Sequence, residues 1–136
     1  MKAIGSLIRI SNFQVEDLQK RLSAIVDART GIELKMAVLE AESEMELANA
    51  RGDAEAGWYL VGFREGVKQR RKALQDQIDS LAAQEEGARD ALSEAFEALK
   101  KYEMVSEGAA NAARKEAGRR ETAALDELGL RRVAAR

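Results

Sequence analysis

The apolar residues in the first third of the chain form a single stripe whose steps alternate between three and four residues. Such spacing is the heptad pattern of a helix that packs along one side against another helix. Arg29 occupies one position of the stripe. The apolar members are Val15, Leu18, Leu22, Ile25, Ile32, Met36 and Leu39.

A second stripe with the same spacing runs from Leu60 to Tyr102. Arg71 and Glu85 interrupt it, and we expect these side chains and Arg29 to extend their charged ends into solvent rather than to form a buried catalytic group. The apolar members are Leu60, Phe63, Val67, Leu74, Ile78, Leu81, Ala88, Leu92, Ala95 or Phe96, Leu99 and Tyr102.

The two stripes are separated by a break that contains Gly52, Asp53 and Gly57. Glycine readily ends a helix, and aspartate is a favourable N-cap for the next one. We therefore predict helix one over about 3–50, a turn over about 51–56 and helix two over about 57–130, all in one coiled-coil domain spanning 1–136. The predicted fold is all-α, a long two-helix antiparallel coiled-coil hairpin with a C-terminal helical overhang.

An antiparallel hairpin requires paired residues whose position numbers have a nearly constant sum. One register fits both stripes, with Leu39 opposite Val67, Met36 opposite Arg71 and Leu22 opposite Glu85. The glutamates at 40–46 then face the basic residues at 64–72, which favours the same register. Residues 106–136 have no counterpart in helix one, and their stripe is thin and rich in glycine. We expect this overhang to fray when it is alone.

Composition excludes most enzyme classes and supports long helices. The 136 residues include no proline, histidine or cysteine, so the commonest metal ligands, general base and thiol nucleophile are missing. We expect no catalytic residue, no metal and no cofactor. A net charge of -2 does not favour nucleic-acid binding. No apolar run reaches the roughly 20 residues that span a bilayer, and a cytoplasmic location is the expectation.

Three of the six aromatic residues lie in one hexapeptide, WYLVGF, beside the predicted turn. A hairpin seam requires only aliphatic residues, so this cluster indicates a surface that another protein binds. Exposed tyrosine and tryptophan are typical of such binding surfaces.

Four motifs stand in a familiar order: LIRISNFQVEDLQKRL, WYLVGFREGVKQRRKAL, EAFEALKKYEMVSE and LDELGLRR. With them, almost the whole chain resembles the FliJ family, the small coiled-coil proteins of the flagellar type III export apparatus. The YscO family is the counterpart in injectisomes, and the AFEALKKYE block favours the flagellar family.

The resemblance implies a hairpin similar to the central stalk of rotary ATP synthases. The end that holds both termini would insert into the hexameric ring of the export ATPase, FliI, and promote its assembly and activity. The family also contacts the export gate protein FlhA, and some members escort export chaperones. The expected location is cytoplasmic, peripheral to the inner membrane at the flagellar base, with membrane association only through partners.

The resemblance also places the gate contact on the second helix soon after the turn. Alignment on VKQRRKAL assigns it to Tyr59, Phe63, Gly66 and Arg70. Phe63 also fits the seam opposite Ser43, so it is either a surface or a packing residue. Trp58 is expected to pack over the turn.

For the ATPase end, shape and resemblance together favour Leu125, Leu128, Arg131 and Arg132. The leucines would sit inside the ring, and the arginines would meet acidic loops. Three alternatives remain open: a generic coiled-coil scaffold, an injectisome stalk protein and a membrane-surface helix, the last disfavoured by the acidic first helix.

Overall fold

A computed structural model describes residues 2–53, 55 and 57–135, and these residues form two helices and their connection. Helix α1 is Lys2–Ala50 and helix α2 is Gly57–Ala134. No strand occurs among the described residues, and the two helices pack against each other. The prediction of an all-α helical hairpin is confirmed.

The connection between the helices is made by short backbone bonds and one aspartate side chain. Arg51 N donates to Ala48 O at 3.4 Å and Asp53 N donates to Ala50 O at 3.2 Å, which ends α1. Asp53 Oδ1 accepts a hydrogen bond from Glu55 N at 3.0 Å, just before α2 begins. Asp53 therefore satisfies a backbone N–H before the second helix, as the sequence predicted. None of the described glycines has a positive φ, so α1 does not end on a left-handed glycine.

Contacts divide the chain into two units, each built from one segment of both helices. The first unit is Met1–Val15 with Glu94–Arg136, and the second is Glu16–Ser93. We call the second the hairpin unit, because it contains the connection, and the first the terminal unit.

The core of the hairpin unit is a thin seam between α1 and α2. Leu39 and Val67, predicted seam residues, are buried at 8% and 6% exposure, and Ser43 is buried beside them. The other aliphatic members of the two stripes in this unit are only half-buried. Because a two-helix seam has no third layer above it, its side chains stay partly in contact with water.

Among the polar positions of this seam, Glu85 differs most from the prediction, whereas Arg71 is exposed as expected. Glu85, expected to extend into solvent, is buried at 8% exposure. Its carboxylate accepts from Arg89 Nη2 at 2.7 Å, one turn along α2, and from Arg29 Nη2 of α1 at 3.5 Å. Arg29 Nε lies 3.1 Å from the other carboxylate oxygen but makes no hydrogen bond there. Glu85 is buried because two arginines offset the loss of water around its charge.

Two ion pairs join the helices along the seam, and each is displaced by one to two turns from the pairing that the register predicts. Arg71, expected opposite Met36, instead holds Glu40 through Nε at 2.6 Å and Nη2 at 3.1 Å. Glu85, expected opposite Leu22, is held by Arg29. Both arginines reach toward the N-terminus of their own helix, which is the direction in which helical side chains tilt. The predicted attraction between the acidic end of α1 and the basic start of α2 is present at Arg71 and Glu40.

In the terminal unit, some residues of both helices are buried, whereas the last part of α2 is exposed. Ser11, Val15 and Leu99 are buried. Every residue from 117 to 135 is exposed, although α2 continues as a helix to Ala134, where the sequence predicted a frayed end. Side-chain bonds within this stretch support the helix locally: Arg119 and Arg120 pair with Glu116, Thr122 bonds to the Gly118 carbonyl, and Arg131 pairs with Glu127.

Candidate partner-binding surfaces

The four residues expected at the export gate lie along one side of α2, close to its start and within the hairpin unit. Tyr59, Phe63, Gly66 and Arg70 are separated by steps of four, three and four residues, which keep them on one helix face. Tyr59 is 46% exposed, Phe63 and Gly66 are half-buried, and Arg70 is exposed. We call these four residues the tip face.

Two aromatic rings form the apolar part of the tip face. The centroids of Tyr59 and Phe63 are 5.9 Å apart with an interplanar angle of 22°, a stacked pair. Phe63 was open to two interpretations, and the structure supports both, because it lies half-buried beside buried Ser43 and also supports the exposed ring of Tyr59. In this pair, the ring of Tyr59 is exposed and stacks on the half-buried ring of Phe63.

A groove beside these rings joins the tip face to α1. Arg70 lines it together with Tyr59 and Phe63, whereas Gly66 does not. A Cβ added at Gly66 would meet no atom within 4 Å, so this glycine leaves open space on the face. The α1 residues that line the groove are Leu39, Glu42, Ser43, Met45, Glu46 and Asn49, of which the sequence had indicated only Ser43 as a neighbour of Phe63.

This groove can bind a side chain that is both apolar and basic. Tyr59, Phe63 and Met45 supply its apolar wall, and Glu42 and Glu46 supply carboxylates at the α1 side. Arg70 adds one positive charge at the α2 side. The mixture of aromatic rings with arginine is typical of protein-binding hot spots.

Trp58 does not pack over the turn as the sequence predicted. Its side chain is 82% exposed, and it lines a shallow depression with Glu46, Asn49 and Asp53. The connection is too short and too polar to offer an apolar surface for the indole to cover. Trp58 therefore adds exposed aromatic area next to Tyr59.

In the terminal unit, the four residues expected at the ATPase lie in the last turns of α2. Leu125 and Leu128 are 68% and 53% exposed. Arg131 pairs with Glu127 at 3.1 Å, and Arg132 makes no ion pair with a residue in the described part of the chain. At about 100° per residue, Leu125, Leu128 and Arg132 lie within a narrow arc of the helix. We call these three residues the terminal face.

Two exposed apolar residues of this segment were missed by sequence reasoning. Leu130 and Val133 are 70% and 72% exposed and lie on another side of α2 from the terminal face. Their spacing of three residues places them on one side of a helix and could have identified them, but neither residue belongs to the heptad stripe. The end of α2 thus presents apolar side chains on more than one side.

The part of the chain that the structure describes contains neither a cluster of metal ligands nor a membrane-spanning helix. These residues contain no group of three or more acidic side chains placed to hold a metal ion. In the same residues, no helix is long and apolar enough to cross a membrane. The two surfaces can contact other proteins through apolar area and charge.

Comparison with known proteins gives one consistent result. The whole chain, residues 1–136, matches the family described as flagellar FliJ protein. It is 53% identical over 133 residues to the flagellar FliJ protein of Caulobacter vibrioides strain NA1000 / CB15N, covering 98% of this chain and 96% of that protein. The same values hold for the flagellar FliJ protein of Caulobacter vibrioides strain ATCC 19089 / CIP 103742 / CB 15. No solved structure matches the chain.

Proposed function

This chain belongs to the flagellar FliJ family, and we propose that it acts as the stalk that inserts into the ring of the flagellar export ATPase, FliI. Membership makes it a non-enzymatic component of the flagellar export apparatus. Its contribution to ATP hydrolysis would be indirect, through assembly and positioning of the ATPase subunits. The protein needs no catalytic group for that role.

The observation that carries this proposal is the exposure of the last part of α2. All residues from 117 to 135 are exposed, yet this segment holds four leucine or valine side chains at 53–72% exposure. In proteins, most of the stability of a helix comes from packing of its apolar side chains rather than from helix propensity. A ring interior would supply that packing for a single helix.

The chemistry of the terminal face suits an apolar channel with an acidic rim. Leu125 and Leu128 would bury their side chains against the ring. Arg131 and Arg132 lie in the last turn of α2, where the helix dipole already favours positive charge. Acidic loops of the ATPase would complement these arginines, and the contacts would weaken as salt increases.

We assign the second contact, with the export gate protein FlhA, to the tip face. The exposed ring of Tyr59 on its Phe63 base, with Arg70 beside it, provides the anchor that a small interface requires. One chain would then link the ATPase to the gate. Escort of export chaperones and a cytoplasmic position at the inner membrane of the flagellar base belong to the same proposal.

The test of the ATPase contact compares the whole chain with a version that ends at Tyr102. Purified export ATPase from the same source is mixed with each, and hexamer formation and ATP hydrolysis are followed. We expect the whole chain to bind and stimulate and the short version to do neither. Equal binding by the short version would refute the insertion of the C-terminal segment.

A pair of matched variants locates the contact within that segment. Leu125→Asn with Leu128→Asn changes the terminal face, whereas Leu130→Asn with Val133→Asn changes an equal number of exposed apolar residues on another side. Truncating hot-spot residues costs about 2 kcal/mol or more, so we expect the first pair to weaken ATPase binding by more than 10-fold. Equal losses in both pairs would mean that the ring surrounds the helix without selecting one face.

The gate contact is tested by Tyr59→Ala against Val61→Ala. Val61 is 73% exposed and lies about 200° around the helix from Tyr59, so it is an exposed apolar control on the opposite side of α2. We expect Tyr59→Ala to weaken binding to purified FlhA by about 10-fold or more and Val61→Ala to leave it unchanged. Intact associations in the Tyr59 variant would favour a coiled-coil scaffold without specific tip chemistry.

A further inference from the structure

A second groove of the hairpin unit lies between α1 and α2, further from the connection than the groove beside the tip face, and the proposed function does not use it. Its volume is about 460 Å³, a size typical of binding pockets. It is open along one side, because a two-helix seam has no third layer to cover it. We call it the middle groove; its lining residues include Gly31, Ile32 and Lys35 of α1 and Gln77, Ser80 and Leu81 of α2.

The floor of the middle groove is apolar and has open space above it. Ile32 and Leu81 belong to the two apolar stripes and are only half-buried, so part of each side chain remains in contact with water. Ala28 and Gly31 form the wall on α1, and a Cβ added at Gly31 would meet no atom within 4 Å. A bulky apolar side chain placed here would remove apolar surface of Ile32 and Leu81 from water, which favours binding.

Hydrogen-bond donors surround this floor, and no carboxylate is among the described residues that line the groove. Lys35 is exposed and makes no ion pair with a residue in the described part of the chain. Gln77 is exposed on the α2 wall. Ser80 Oγ accepts a hydrogen bond from Gln84 Nε2 at 3.3 Å, so its own O–H stays available to donate. An ammonium, an amide N–H and a hydroxyl together suit a carboxylate of a ligand.

The carboxylates nearest in sequence do not cancel the charge of Lys35 at the groove. Glu33 and Asp79 already bond to a neighbour on their own helix, and Asp76 lines a different depression, on α2 alone. Asp27 lies eight residues before Lys35, roughly 12 Å away along the axis of α1, and does not line the groove. The middle groove is therefore basic at its Lys35 end, in contrast to the groove beside the tip face, which two glutamates line.

A third helix laid along the middle groove would supply the layer that the seam lacks, because helices pack by inserting side chains of one into the spaces between side chains of the other. A basic residue of that helix would meet Lys35 as a like charge, whereas an acidic residue would pair with it. We infer that the middle groove is a docking surface for an amphipathic helix of another protein. That helix inserts a bulky apolar side chain over Ile32 and Leu81 and places a glutamate or aspartate one turn away, beside Lys35.

The test uses three synthetic helix-forming peptides of three heptads each. The first has leucine at its seam positions and glutamate at the flanking positions, the second has lysine in place of glutamate, and the third has alanine in place of leucine. Binding of each to the full-length chain is measured by fluorescence anisotropy. We expect the first peptide to bind more tightly than either of the others by about 10-fold or more, and its advantage over the lysine peptide to shrink as salt is raised. Equal binding of the three peptides, or no binding of the first, would overturn the inference.

Charge reversal at Lys35 locates the contact. Lys35→Glu should transfer the preference from the glutamate peptide to the lysine peptide. Lys72→Glu makes the same change at an exposed residue of α2 that does not line the middle groove, and it serves as the matched control. An unchanged preference in Lys35→Glu would overturn the inference. An equal transfer in Lys72→Glu would also overturn it, because the overall charge of the chain would then select the peptide.

Filling the groove tests its shape independently of its charge. Gly31→Leu places a side chain in the open space beside Ile32 and should abolish binding of the glutamate peptide. Gly87→Leu adds the same side chain at an exposed glycine of α2 outside the groove and should leave binding intact. Circular dichroism verifies that both variants stay helical, as the higher helix propensity of leucine predicts. Unchanged binding in Gly31→Leu contradicts the proposal. A dimer of the free chain that Gly31→Leu disrupts, measured by analytical ultracentrifugation, would assign the groove to a second copy instead.

Discussion

The hairpin unit and the C-terminal segment of the terminal unit, residues 117–135, are built from similar helix-forming residues but differ in how far their side chains are buried. In the hairpin unit, α1 covers the apolar stripe of α2, and Leu39, Val67 and Glu85 are buried. In the C-terminal segment, every residue is exposed. Helix propensity is shared by both regions, so the difference lies in whether the chain supplies its own packing partner.

That difference separates residues that serve folding from residues available to partners. A leucine in the seam contributes to stability because it leaves water when α1 and α2 pair. A leucine at 125 or 128 contributes little until another protein covers it. The charged residues follow the same division, since Glu85 is buried between two arginines whereas Glu116 pairs with Arg119 and Arg120 at the surface.

Hydrogen exchange should give the largest contrast between the two regions. We expect amides of 117–135 in the free chain to exchange with almost no protection. Amides at 63–92 should be protected by the seam; a local stability of ~4 kcal/mol corresponds to roughly thousandfold slower exchange. Mass-spectrometric exchange measures both regions in one experiment. Similar protection in both regions would mean that 117–135 is packed in the free chain. Protection of 117–135 that appears only with the export ATPase would mean that the ATPase supplies the missing packing partner.

Removing one leucine from each region is the next largest test. Leu39→Ala should destabilise the fold by about 2–3 kcal/mol, near the lower end for buried leucines because a thin seam can partly close. Leu128→Ala should change unfolding by less than about 0.5 kcal/mol, as is usual for exposed sites. Urea unfolding followed by circular dichroism measures both changes. A large loss for Leu128→Ala would show that the C-terminal segment packs within the free protein.

Matched glutamates provide a smaller contrast. Glu85→Gln leaves Arg29 and Arg89 facing a neutral amide in a buried position, and we expect a loss of about 1–3 kcal/mol, reduced by the partial exposure of Arg29. Glu116→Gln removes surface ion pairs and should cost about 0.5 kcal/mol or less. Thermal unfolding of both variants, with Glu86→Gln as an exposed control in α2, measures the difference. Equal decreases in unfolding temperature for Glu85→Gln and Glu116→Gln would mean that burial does not strengthen the ion pairs of Glu85.

The sequence predicts the hairpin well because its strongest signals are local and periodic. Heptad spacing identifies the seam residues Leu39 and Val67, and Asp53 marks the cap between the helices. The register is less accessible, because steps of three and four allow neighbouring alignments that all place apolar residues together. Long arginine side chains then select partners a turn or more away, as Arg71 does with Glu40.

The residues of the candidate surfaces were predicted only where a local sequence pattern or the family resemblance pointed to them. Tyr59 and Arg70 followed from an aromatic cluster and a resemblance, and the structure brings them to one groove. The α1 residues of that groove, such as Met45, depend on how two distant segments meet, which spacing alone does not reveal. Trp58 was misassigned because an apolar residue beside a turn predicts packing only when the turn offers a surface to pack on.

Glycine-to-alanine substitutions give the smallest expected changes in stability. They test whether a gain in helix propensity stabilises the hairpin unit but not the C-terminal segment. A Cβ at Gly66 or at Gly118 meets no atom within 4 Å, so neither substitution introduces a clash. Alanine favours the helix over glycine by about 0.5–1 kcal/mol at each site. In the hairpin unit that gain should appear as a higher unfolding temperature for Gly66→Ala. In the C-terminal segment, Gly118→Ala should raise local helicity, seen in backbone chemical shifts, with no change in the unfolding temperature.

The same pair also addresses the open space at Gly66 on the tip face. If FlhA approaches the backbone there, Gly66→Ala will weaken gate binding although it stabilises the fold, and Gly118→Ala will leave gate binding unchanged. Stability and affinity that move in opposite directions at Gly66 separate a binding role from a folding role. Gate binding that follows stability instead would place Gly66 outside the contact and restrict the tip face to Tyr59, Phe63 and Arg70.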